Sequence, residues 1–237
     1  LFFILGAAGI VLVLLAILLR SLARMGTALI PVCTGLVVAM KPLMDRFGID
    51  AVHVVTMQAL SGAGYPGVSS LDAIDNVIPF IGGEESKMET EPLKILGSMK
   101  NGMVFQADFK ISATCNRVPV SDGHLECISL KLKTQAAPEE IIQAFEQYRS
   151  LPQELDLPSA PKQPIHYFHD DRMPQPRMLR NLDKGMAVSV GRLRRCPILD
   201  IKFTILSHNT VRGAAGGALL NAELLVAKGY LDNDSRK

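Results

Sequence analysis

The chain predicts an α+β domain, a mixed or largely antiparallel sheet with helices packed on one face. Three observations predict it: five segments carry helical spacing, five runs read as strands, and two of those runs, 104–118 and 124–134, read as long paired strands. GLVVAMKPLMDRFG (35–48) is an amphipathic helix stopped by Gly48, and AVHVVTMQAL (51–60) is a buried strand running into the glycine turn SGAGYPG. SLDAIDNVIPF (70–80) opens on a serine cap and reads as a short helix. EESKMETEPLKIL (84–96) is a charged helix that Pro92 is expected to break or kink. Residues 104–118 and 124–134 read as two long strands paired as a hairpin, and PEEIIQAFEQYR (138–149) as a helix with proline in its first turn. A proline-rich loop is expected over 151–181, strands at AVSVGRLRR and ILDIKFTIL, and a closing helix from Thr210 to Lys228 whose small residues permit close packing.

Composition narrows the function classes. At 237 residues, 48% of them apolar, the chain can bury a substantial core, and its net charge of +2 with mixed signs gives no basic stripe for nucleic acid. The four cysteines, Cys33, Cys115, Cys127 and Cys196, form no CxxC pair, which favours a reducing compartment over a disulfide framework. Cys127, next to Glu126 in a strand, reads as the packed member of that pair. His166, His169, Asp170 and Asp171 could be read as metal ligands, but they lack a second ligand set, and no metal is expected. Residues 1–19, LFFILGAAGIVLVLLAILL, carry no charge and precede Arg20 and Arg24, so an apolar, membrane-spanning helix is one reading of the region 1–34.

The segment richest in chemistry is RVPVSDGHLECISLKL (117–132). It sets Arg117 and His124 seven residues apart across a turn, a spacing that can aim a fixed cation and a titratable imidazole into one cleft. Together with VVTMQALSGAGYPG (54–67), IPFIGGEESK (78–87) and HNTVRGAAGGALLNAELL (208–225), it resembles the fungal and archaeal branch of the aspartate-semialdehyde dehydrogenases, from about Gly35 onward.

The resemblance implies a catalytic and dimerisation domain of the glyceraldehyde-3-phosphate-dehydrogenase-like type over 35–237. The implied reaction is the NADPH-dependent reductive dephosphorylation of L-aspartyl 4-phosphate to L-aspartate 4-semialdehyde, in lysine, threonine and methionine biosynthesis. Implied roles are substrate carboxylate binding for Arg117, acid/base work for His124, substrate orientation for Gln58, contacts to the substrate amino group and phosphate for Glu84 and Lys87, and an approach to the nicotinamide for Asn209. A homodimer or higher oligomer in the cytoplasm is implied, or a membrane-associated one if the apolar segment spans. By the same likeness LGAAGIV (5–11) is a worn form of the turn that opens a nucleotide-binding domain, most of which is not represented.

The departure concerns the nucleophile. Where the family carries an NCSTTG-like sequence, this chain reads ALIPVCTGLVV, so an ungapped alignment puts Pro31 at the nucleophile and Cys33 two positions late. Only a two-residue deletion would make Cys33 the nucleophile. The chain is read first as the catalytic and dimerisation domain of an enzyme given incompletely; the alternative is a non-catalytic product, either a membrane-tethered relic or a dimer partner of an intact subunit.

Overall fold

The computed structural model describes residues 31–230. Helix α1 (Pro31–Phe47) leads into β1 (Ile49–Gln58), a short 3-10 turn (Leu60–Ala63), the one-turn helix α2 (Ser70–Ala73) and helix α3 (Glu84–Ile95). There follow β2 (Ser98–Lys100), β3 (Met103–Phe105), β4 (Lys110–Arg117), β5 (His124–Leu132), α4 (Pro138–Glu146), α5 (Leu151–Glu154), β6 (Ile165–Phe168) and α6 (Pro176–Leu179). The chain then forms β7 (Val188–Arg195), β8 (Ile201–Ser207), a π turn (Val211–Ala215) and α7 (Gly216–Ala227). The expected N-terminal apolar helix lies outside the described residues, among which no helix is long and apolar enough to cross a membrane.

Six strands form one mixed sheet in the order β4-β1-β5-β8-β7-β6. β1 runs parallel to β4 and antiparallel to β5, and β6 runs parallel to β7. This corrects the expected hairpin: β1 is inserted between β4 and β5, so the two strands flanking the Arg117–His124 turn each pair with it instead of with each other. The run 104–118 is also not one strand, because its start belongs to a separate β2–β3 pair. The loop expected over 151–181 contains edge strand β6, whose four residues are too few to show a period.

Two other expectations change in detail. Pro92 neither breaks nor ends α3. It is buried, and the helix runs on until the Leu96 amide closes on the Pro92 carbonyl at 2.9 Å. The closing helix begins as a π turn, and only one turn of the expected helix at 70–80 forms.

Helices α1, α3 and α4 pack on one face of the sheet, as the period-2 pattern demands. α1 presents Leu36, Val37, Ala39, Met40 and Leu43 to that face at helical spacing, all buried. The rows beneath it change character along the strands. Val52, Leu130 and Ile201 pair across three strands, as do Val54, Ile128 and Phe203, and Phe145 from α4 packs edge-on against Phe203 at a centroid distance of 5.5 Å. One step on, Cys115, Thr56, Glu126 and Ile205 align; a further step brings Gln58 beside Arg117 and His124 beside Ser207. Burial of the apolar rows stabilises the sheet by about 1.5–3 kcal/mol per large side chain, while the polar row at the end opens toward the loops.

Candidate active site

The polar row sits where β1 and β4 end and β5 begins. Arg117 and Gln58 are Cα partners, and His124 lies on the same face at the first position of β5. All three are buried, at 7%, 2% and 2% exposure.

One peptide segment joins the cation to the imidazole. The Ala59 amide donates to His124 Nδ1 at 3.1 Å, and Arg117 Nη1 donates to the Ala59 carbonyl at 2.7 Å. A backbone N–H can only donate, so Nδ1 of the neutral ring is the acceptor and the ring proton sits on Nε2. Burial, followed by the Arg117 charge, pushes the His124 pKa down to about 3. The ring is therefore a neutral Nε2–H donor at physiological pH.

Gly62, in the 3-10 turn, covers both groups. A Cβ there would stand 2.8 Å from Arg117 Nη1 and 3.2 Å from His124 Cε1. Arg117 forms no ion pair among the described residues, so most of its guanidinium donors are left for a ligand. Burial lowers its pKa, and the Glu84 carboxylate acts in the opposite direction. Glu84 begins α3 and accepts from Lys87 Nζ at 3.1 Å. Gln58 Nε2 donates to Thr56 Oγ1 at 3.3 Å.

Asn209 serves the site from within the protein. Its Oδ1 accepts from the Gly123 amide at 2.9 Å and its Nδ2 donates to Ser61 Oγ at 2.9 Å, tying three loops together. Gly123 itself takes φ 93, a backbone region open to glycine at little cost.

Cys33 stands apart. It is 1% exposed, its Sγ lies 3.5 Å from Met88 Sδ, and burial followed by the Glu126 charge raises the thiol pKa. No hydrogen bond joins it to Arg117, His124 or Gln58. The Cys127/Glu126 alternation is the reverse of the expectation: Cys127 is exposed and Glu126 is fully buried. The His/Asp run at 166–171 disperses, with His166 on Asp183 at 2.9 Å and Asp170 on Arg172.

Residues 40–212 match the semialdehyde dehydrogenase dimerisation domain. The chain belongs to the semialdehyde dehydrogenase family. The aspartate-semialdehyde dehydrogenase of Schizosaccharomyces pombe is 55% identical over 202 residues, which are 82% of this chain and 56% of that protein. The enzyme of Saccharomyces cerevisiae is 48% identical over 206 residues, covering 83% and 56%. The crystal structure of the Candida albicans enzyme with NADP superposes with a TM-score of 0.78 at 44% identity, over 85% of this chain and 57% of that one. The chain thus spans about half the length of these relatives.

Within this semialdehyde dehydrogenase domain, Asn209, the residue expected at the nicotinamide, is held in place by Gly123 and Ser61, and these two bonds use one of its two amide hydrogens. The glycine turn expected at 5–11 lies outside the described residues.

Proposed function

We propose that this domain supplies the substrate-anchoring and proton-donating side of an aspartate-semialdehyde dehydrogenase, acting on L-aspartyl 4-phosphate and L-aspartate 4-semialdehyde. The observation that carries the reading is the single Ala59 peptide segment holding a buried guanidinium and a neutral imidazole side by side under Gly62. Arg117 binds the α-carboxylate in a planar fork. Gln58, fixed by Thr56, orients the chain of the substrate. His124 donates from Nε2 to the oxygen on which negative charge develops, a stabilisation that a low-dielectric site strengthens. Glu84 takes the substrate amino group and Lys87 the phosphate.

NADPH, when bound to the whole enzyme, supplies the hydride. The chain's own copies pair as a homodimer, in line with the name of the matched family.

The test is calorimetric titration of the purified chain with aspartate semialdehyde. Binding that weakens roughly 100-fold in Arg117→Leu, the scale of a lost charged pair, supports the reading. Equal binding by both proteins sinks it.

One observation favours a second reading, a non-catalytic subunit: the only thiol near the family's nucleophile is Cys33, which is buried in apolar packing with a raised pKa. Proline at position 31 offers no nucleophile. Phosphate-dependent NADP reduction by the purified chain, lost in Cys33→Ala, would exclude this second reading.

A further inference from the structure

Glu126 lies two residues along β5 from His124 on the same face, and the chemistry above gives it no task. It is completely buried, and neither carboxyl oxygen has a hydrogen-bond partner. The Ser207 hydroxyl is likewise buried without a partner. A carboxylate in such surroundings costs enough that the group keeps its proton, and burial pushes its pKa up to about 8.

The first turns of α1 lie directly over this pair. A Cβ on Gly35 would stand 2.7 Å from Ser207 Cβ and 3.4 Å from both Glu126 Oε1 and Ser207 Oγ. The helix backbone therefore seals two unpaired polar groups, and only a glycine lets it come so close. The titratable groups on the surrounding elements are Cys33 on α1, Cys115 on β4 and His124 on β5 itself; Glu126 raises the pKa of both thiols. β1 contributes the neutral Thr56 and Gln58, and β8 the neutral Ser207. Among the described residues no cation pairs with Glu126.

We propose that Glu126 is a positioning residue: as a neutral acid it lets the first turns of α1 seat at Gly35 against Ser207, and as a carboxylate it lifts them from the sheet. Ionisation sends the proton to solvent and leaves a charge that only entering water can satisfy, which requires the overlying turn to open. The proposal rests on the reading above only in that the family's nucleophile falls on this turn, at position 31.

Of two buried thiols, Cys33 on α1 reports the opening, and Cys115 on β4, which packs under α3, is the control. Native labelling with iodoacetamide, located by mass spectrometry and corrected for thiolate fraction, follows both from pH 5 to 9. With the closed form titrating near 8 and an opened one near the ordinary 4.5, the open fraction grows by up to roughly tenfold per pH unit across that window and levels off above it.

Cys33 labelling is expected to climb in this way relative to Cys115, and to stay flat in Glu126→Gln. A parallel rise of both thiols, or an unchanged slope in Glu126→Gln, overturns the proposal. Should that variant not fold, hydrogen exchange of the α1 amides in the unaltered chain decides: protection factors at 33–36 that fall as pH rises from 5 to 9 while those of α3 hold support it, and unchanged protection at 33–36 refutes it. None of these readouts uses turnover or substrate, so the proposal fails separately from the assigned reaction.

Discussion

Gly62→Ala is the sharpest probe of the cleft. The new methyl would sit 2.8 Å from Arg117 Nη1, where ordinary contact is ~3.5 Å, and 3.2 and 3.4 Å from His124 Cε1 and Nε2. The guanidinium has to retreat by about 0.7 Å to restore that contact. The atom that moves is the one bonded to the Ala59 carbonyl at 2.7 Å, so the bond is stretched to the edge of usefulness. Losing that internal bond should cost folding stability up to about 1.5–3 kcal/mol; the turn's backbone adds no further strain, because Gly62 is not among the positive-φ glycines. A guanidinium displaced from the ligand's carboxylate loses a charged contact of the same scale, so binding of aspartate semialdehyde should weaken roughly 10- to 150-fold. Calorimetric titration reads the affinity and thermal unfolding reads the fold. Unchanged affinity in a folded variant would show that Gly62 does not roof the ligand's place and would refute the reasoning.

The pH dependence of stability should have two arms. His124, with its folded pKa near 3 against 6.5 unfolded, favours the folded state above about pH 6.5, and that contribution is lost as pH falls toward 3. Glu126, raised from 4.5 to about 8, works in reverse: its contribution is complete below about pH 4.5 and is lost as pH rises to 8. Each arm is on the order of 4–5 kcal/mol at full extent, and denaturant unfolding from pH 4 to 9 should lose only the alkaline arm in Glu126→Gln. Asn209→Ala strips the Gly123 amide and Ser61 hydroxyl of their partner; unfolding calorimetry should show a loss of about 2–3 kcal/mol, and a loss below ~0.5 kcal/mol would deny the brace its importance.

The sequence was most legible where periodicity was long. α4 and β7 lie within the runs that the apolar pattern marked, each nine or more residues long, β8 ends one residue past its run, and α1 covers its run but begins four residues earlier. Strand order was not legible. Arg117 and His124 looked like two sides of a hairpin because a short turn separates them, and nothing local reveals that β1 inserts between their strands. The same non-local pairing hid Glu126. Its side of β5 is set by what α1 covers, and the local pattern assigned the buried side to Cys127 instead. Among the site residues, Arg117, His124, Gln58 and Glu84 stood out as ionisable or amide groups within motifs. The structural contribution of Ala59 was invisible, because it acts through main-chain atoms that any residue carries. Asn209 could be singled out from its motif, but its work as a brace depends on loops distant in sequence.

The central claim is that a guanidinium and a neutral imidazole, held by one peptide segment, face the same small carboxylate-bearing ligand. Nitrogen-15 NMR of the labelled chain titrated with aspartate semialdehyde tests it most directly. The account predicts that His124 carries its proton on Nε2 throughout pH 5–9, and that the Arg117 side-chain and His124 ring signals move together with one midpoint. A protonated Nδ1, or a ligand that shifts one of the two groups and leaves the other in place, would contradict it.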